Sequence, residues 1–168
     1  MSRDLNDLQP DFMDAVCLVL ADCQLLDVAM RPFHTVRSPW EQARLWRRSR
    51  TRVEIDREVA NMQAAGAPWL AKVLVDVGPQ YDRKATNALP GRSWHQWGLA
   101  VDCFIVGPDG EAIWDWGHPS WGVYAQAAVK RGLHLGPSWD KPHIQGPGGI
   151  VTRTWPEIDK AMRQRWDV

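Results

Sequence analysis

Residues 93–102 read Ser93-Trp94-His95-Gln96-Trp97-Gly98-Leu99-Ala100-Val101-Asp102, and the chain continues as Cys103-Phe104-Ile105-Val106. Ala100–Val106 is β-rich and alternating, which predicts a strand with Asp102 inside it. An ionised carboxylate in an otherwise apolar strand is costly to bury unless it is paired or coordinates a metal. Seven residues earlier, His95 sits in a loop. Gly98 allows the sharp turn that would bring its ring back over the strand. A histidine so placed beside an acid forms either a hydrogen-bonded pair or part of a metal site. These residues alone leave both open.

Working outward, Gly107-Pro108-Asp109-Gly110 is a turn leading into Glu111–Trp114, which predicts a hairpin. Residues 79–94 lack periodicity and contain Pro79, Asn87, Pro90 and Gly91, so a long loop leads into the motif. The first half reads as helices. Residues 10–26 carry Phe12, Ala15, Val16, Val19, Leu20 and Cys23 at helical spacing, and 27–36 include a short apolar stretch that suits a strand. Ser38-Pro39-Trp40-Glu41 is a capping box that starts a helix to about Arg48, with Arg37 just ahead of it. Residues 53–65 and 68–76 are helical and stop near Gly66 and Gly78. Residues 120–131 form a helix closed by Gly132, Leu133–Leu135 and His143–Gln145 are further strands, and Thr154-Trp155-Pro156-Glu157 starts a C-terminal helix. The expected class is α+β: a small antiparallel sheet carrying the polar motifs, packed with helices mostly from the N-terminal half. No repeat or linker divides the chain, so residues 1–168 are expected to form a single domain.

Composition narrows the partners. Basic and acidic residues balance at 20 each, which offers no overall field for nucleic acid. No apolar run approaches the length of a membrane span, so membrane insertion is not expected. The N-terminus MSRDLNDLQP has no apolar signal region, so synthesis in the cytoplasm without a signal peptide is expected. Cys17, Cys23 and Cys103 are odd in number and form no C-x-x-C pair, which points to buried free thiols. Eleven tryptophans are the compositional outlier. Trp94, Trp97 and Trp139 flank the polar residues and are candidates to line a groove for a sugar or peptide.

A second polar segment is Trp139-Asp140-Lys141-Pro142-His143-Ile144-Gln145. In a regular strand Asp140 and His143 would face opposite sides. Pro142 argues that Asp140–Pro142 is not regular strand, which removes that objection. Spacing alone does not join His143 to His95 and Asp102.

The Ser-x-His-x-x-Gly-x-Ala-x-Asp pattern at 93–102, followed by the acid-x-x-His at 140–143, resembles the D-alanyl-D-alanine carboxypeptidase group of zinc peptidases. That group includes the VanX and VanY enzymes and the phage L-alanyl-D-glutamate endopeptidases, and shares a fold with the hedgehog signalling domain. Thr35-Val36-Arg37-Ser38 with Gln42 resembles its arginine segment, and the likeness covers roughly residues 30–146. The resemblance implies one catalytic Zn²⁺ on His95, Asp102 and His143, Asp140 as general acid/base, and Arg37 stabilising the transition state. Two imidazoles and a carboxylate suit Zn²⁺, and three protein ligands leave a fourth position open, as in catalytic sites. Asp140 stands where several members carry glutamate, a feature common in the phage enzymes.

The implied function is hydrolysis of the peptidoglycan stem peptide as an endolysin-type L-alanyl-D-glutamate endopeptidase. The alternatives are a D-alanyl-D-alanine carboxypeptidase and a non-catalytic zinc module that binds cell wall or protein. The implied setting is the bacterial cell wall or periplasm, reached through a holin-type partner, with the chain a monomer. Ser93 is expected to contact substrate, and Gln42 to be either a helix-surface residue or a substrate contact. His34, His118 and His134 fall outside the pattern and read as surface or structural. Arg47, Arg48, Arg50 and Arg52 form a basic cluster that reads as a solvated helix end, with an anionic envelope as the rival partner.

Overall fold

The computed structural model describes residues 1–147 and 152–167. Contacts divide the chain into two compact units, one of Met1–Val36 with Trp97–Gly148 and the other of Arg37–Gln96 with Gly149–Val168.

The first unit is the sheet. Strands β1 (Met30–His34), β2 (Ala100–Val106), β3 (Ala112–Ile113), β4 (His134–Leu135) and β5 (His143–Gln145) form one five-stranded sheet in the order β1-β2-β5-β4, with β3 on β2. Every pairing is antiparallel. The sheet packs with helices α1 (Pro10–Gln24) and α5 (Ser120–Lys130). Phe12, Val16, Val19 and Cys23 recur every three to four residues and form the buried stripe of α1. Cys17 falls one residue past Val16, about 100° round the helix, and is exposed, which corrects the expectation that it is buried. All three cysteines are free thiols.

The second unit is helical: α2 (Pro39–Arg47), α3 (Arg52–Ala64), α4 (Pro68–Asp76) and α6 (Trp155–Trp166), with α4 packed against the other three. The caps read from the sequence are present. Ser38 N–H donates to Glu41 Oε2 at 2.8 Å and Glu41 N–H donates back to Ser38 Oγ at 3.2 Å, and Thr154 N–H meets Glu157 Oε2 at 2.7 Å. Thr51 and Glu54 form a third such box, which fixes the start of α3. Among the described residues no helix is long and apolar enough to cross a membrane.

Gly98 carries the turn that the opening motif requires. Its φ is +69°, a left-handed conformation in which a Cβ is strained. Its carbonyl accepts from Gln9 N–H at 2.9 Å, and the Gln9 side-chain amide donates to Trp97 O at 3.0 Å. A Cβ here would lie 3.2 Å from Asp7 O and from Gln9 N. Gly98→Ala is therefore expected to lower stability by about 2 kcal/mol, read as a lower midpoint in urea unfolding. An unchanged midpoint would show that this turn does not constrain the chain.

Candidate metal centre

β2 alternates in burial. Val101, Cys103 and Ile105 are buried, whereas Asp102, Phe104 and Val106 are half-buried on the other face. The register then decides what surrounds Asp102: it pairs with His143 of β5 and with His34 of β1. Residues directly paired across strands share a face and touch. Pro32 pairs with Cys103, so a regular ladder would put Phe33 opposite Asp102. A register shift between Pro32 and His34 presents the histidine instead.

The side chains meet as the register demands. His143 Nδ1 lies 2.9 Å from Asp102 Oδ1, and His34 Nδ1 lies 3.6 Å from Asp102 Oδ2. On the far side of its ring, His143 Nε2 is 3.0 Å from Gln145 Oε1. Ile144 points into the core, so His143 and Gln145 share the opposite face of β5. With an acceptor on each side, the ring hydrogen-bonds to both only when doubly protonated; a cation that displaces the Nδ1 proton would take that lone pair, with Gln145 keeping the proton on Nε2. Burial disfavours a charged His143 ring. The hydrogen bond and charge of Asp102, then Gln145 and the charge of Asp140, outweigh that and hold its pKa above the ordinary 6.5.

The backbone before His143 is pinned. Pro142 O accepts from Cys103 N–H at 3.0 Å and from the Tyr124 hydroxyl at 3.3 Å. Tyr124 is fully buried, and burial pushes its phenol well above the ordinary range, so it remains a donor. Two successive turns precede the strand: Asp140 N–H donates to Pro137 O at 2.7 Å and His143 N–H to Asp140 O at 3.2 Å. Asp140 is thus in turn, not strand, as Pro142 suggested. Gly136 allows this approach, since a Cβ there would lie 2.7 Å from Asp140 O and 2.9 Å from His143 Cβ. Asp140 and His143 line a cavity of about 300 Å³ together with Trp121, Leu135, Pro137 and Lys141.

His95 is 2% exposed and lies in a 3-10 turn, Trp94–Trp97. One ligand atom each from His95, Asp102 and His143 lie within 4.8 Å of one another. Two imidazole nitrogens and a carboxylate oxygen at that spacing fit a single Zn²⁺ and leave a coordination position for a fourth ligand.

The other expected residues are distributed as follows. Arg37 is half-buried and directly precedes the α2 cap. Ser93 is 7% exposed, Trp139 is 65% exposed, and Trp94 and Trp97 are half-buried. Gln42 is fully buried and its amide donates to Ala88 O at 2.8 Å, so the helix-surface reading does not hold. Its position falls on the buried stripe of Pro39, Gln42, Ala43, Trp46 and Arg47, a spacing visible in the sequence. His118 caps the turn ahead of α5, its Nδ1 3.3 Å from Ser120 N. His34 and Gln145 touch Asp102 and His143, and sequence reasoning did not place them there. His-x-Gln in a strand is a signal for Gln145; nothing local marks His34.

A family model described as VanY, D-alanyl-D-alanine carboxypeptidase, matches residues 5–113. No curated protein matches the chain. Among solved structures, VanYB in complex with D-Alanine-D-Alanine is 17% identical, with a TM-score of 0.49, 94% of this chain and 78% of that chain covered. The Serratia marcescens L-Ala D-Glu endopeptidase ChiX is 20% identical, with a TM-score of 0.44 and coverage of 86% and 84%. The D,D-pentapeptidase VanY E175A mutant in complex with Zn(II) is 16% identical, with a TM-score of 0.41 and coverage of 96% and 79%.

Gln145 orients His143 from behind, and losing such a partner lowers metal affinity about 10- to 100-fold. Gln145→Ala is expected to weaken zinc binding by that factor in a chelator-competition titration, with an unchanged circular dichroism spectrum. Wild-type affinity in the variant would mean that Gln145 does not set the ring.

Proposed function

The chain belongs to the VanY D-alanyl-D-alanine carboxypeptidase family, and from that premise we propose that it is a zinc-dependent peptidase cutting the peptidoglycan stem peptide as an L-alanyl-D-glutamate endopeptidase. The 168 residues work as one peptidase domain. The observation that carries the reading is Asp140 in a turn beside His143, both lining one cavity.

His95, Asp102 and His143 hold the metal through one imidazole, one carboxylate and one imidazole. A bound Zn²⁺ supplies Lewis acidity and activates water at neutral pH. Asp140 takes the proton that the attacking water gives up and hands it to the departing amine, which would otherwise leave as an unstable anion. Its carboxylate is one methylene shorter than glutamate, and the tight turn after Gly136 brings its backbone close to His143 in compensation. His143 and Asp102 are fixed by the sheet register, so the donor set needs little rearrangement as charge develops. Arg37 stabilises the oxyanion of the tetrahedral state through its guanidinium. Gln42 supports the 86–88 loop and acts through it. Ser93, Trp94, Trp97 and Trp139 are the proposed substrate contacts.

The D,D-carboxypeptidase reading has one specific point in its favour, the description of the matching family. Mass spectrometry of the products from whole peptidoglycan and from a free D-alanyl-D-alanine pentapeptide separates the two. New N-terminal D-glutamate is the expected product, and release of D-alanine alone would replace the endopeptidase reading by the other.

Asp140→Ala is expected to retain one zinc per chain and lose kcat by about 10²- to 10⁴-fold. Hydrolysis at the wild-type rate would remove Asp140 from the chemistry.

A further inference from the structure

The arginines at 47–52 are left over by the peptidase site; Arg52 is solvated as expected, but Arg47 is buried and Arg50 half-buried. Arg48 is matched by Asp82 at 3.2 Å. Arg52 places Nε 2.8 Å from each carboxylate oxygen of Asp56. Arg47 and Arg50 have no carboxylate partner among the described residues and lean on carbonyls instead. Arg47 is only 7% exposed; its Nη1 donates to Leu74 O at 2.8 Å and Val75 O at 3.4 Å, and its Nε is buried without a partner. Arg50 is half-buried, stacks on Trp46 with its guanidinium carbon 4.0 Å from the ring centroid, and donates to Trp46 O and, at 2.9 Å, to Thr86 O.

Carbonyls at helix ends offer about half a unit of negative charge. They neutralise the buried Arg47 and the half-buried Arg50 only in part; Asp56 acts on the first, and Glu54 and Glu58 on the second, through space and without an ion-pair contact among the described residues. Burial first, and then repulsion by Arg52, holds the Arg47 pKa below the ordinary guanidinium range, and burial does the same for Arg50. Arg47, Arg50 and Arg52 line a cavity of about 560 Å³ in the second unit, with Ile55 and Pro79 as apolar wall and Tyr81, 92% exposed, at its rim. Charge is segregated here. Residues 44–58 hold six arginines against three acids, in a chain whose formal net charge is +0.

We infer that this cavity is an anion site, built for a phosphate or phosphodiester group, which goes beyond the peptidase reading. The guanidinium fork matches the oxygens of both carboxylate and phosphate. Three arginines around one cavity favour a tetrahedral, multiply bonding oxyanion over a single carboxylate. Of the nearby acids, Asp82 lines the cavity and is paired with Arg48, Glu54 is held by the Thr51 cap, and Asp56 shares Arg52, whose exposed side chain can turn to an anion in the cavity.

The test is calorimetric titration of the full chain with inorganic phosphate, with poly(glycerol phosphate), with phosphatidylglycerol vesicles and with acetate as the control anion. Saturable binding of phosphate, tighter than that of acetate, is expected. The side chain of Arg52 is 82% exposed, so Arg52→Glu leaves the fold intact and serves as the deciding variant. It should weaken phosphate binding by roughly tenfold or more, and combining it with Arg50→Gln should abolish binding. Hydrolysis of a soluble stem peptide should be unchanged in both variants. Arg47→Ala is a poorer probe, because it also leaves the Leu74 and Val75 carbonyls without their donor. Tighter binding of the polymer identifies a repeating phosphodiester as the source of the group, and tighter binding of vesicles a lipid headgroup. Absence of saturable binding to all three phosphate probes, equal affinity for acetate, or an Arg52→Glu chain that binds like wild type would each overturn the inference.

Discussion

The carboxylate of Asp102, set in the middle of a sheet, is the constraint around which the first unit is organised. A charge there must be compensated, and the sheet compensates it by register. His143 is paired with it from β5 and His34 from β1, and the two rings approach its two oxygens at 2.9 and 3.6 Å. Asp102 and His143, joined by His95 from the turn before β2, bring one ligand atom each within 4.8 Å, a donor set that suits a cation, while His34 stands on the other carboxylate oxygen. What surrounds it serves to hold that arrangement. Tyr124 and the Cys103 amide fix the carbonyl before His143, Gln145 fixes the ring, and Gly136 lets the turn bearing Asp140 come close.

This division of labour explains why so few residues carry chemistry while many are needed to place it. The core face of β2 and β5 is made of Val101, Cys103, Ile105 and Ile144, all buried. Shifting either strand by one residue would turn Asp102 or His143 into that core. Apolar burial therefore specifies the polar geometry, because the register that satisfies the core also sets Asp102 beside His143. The Cys103 thiol is part of the packing: burial pushes its pKa up to about 12, so it stays neutral on the core face of β2, opposite the Asp102 side chain.

Much of the fold was legible because the signals are local. Capping boxes at Ser38 and Thr154, glycines at 66, 78 and 132, and the alternation of Ala100–Val106 mark boundaries that the structure reproduces within a residue or two. His95 and Asp102 were legible through the cost of an acid in an apolar strand, while His143 needed a family pattern because it lies 41 residues from Asp102. His34 was not legible at all. Its place depends on a register shift in β1, a property of strand pairing that a single segment does not encode. The surface readings of Gln42 and Arg47 failed for another reason: polar residues on the buried stripe of α2 look like solvated ones unless the spacing is given precedence over the residue type.

The zinc ligands we propose are Asp102, His95 and His143, and not His34. X-ray absorption at the zinc edge of the loaded chain tests this set directly. Four nitrogen or oxygen ligands at about 2.0–2.2 Å are expected, with multiple scattering from two imidazoles and none added or lost on His34→Ala. A sulfur shell near 2.3 Å, or a third imidazole that disappears in His34→Ala, would contradict it.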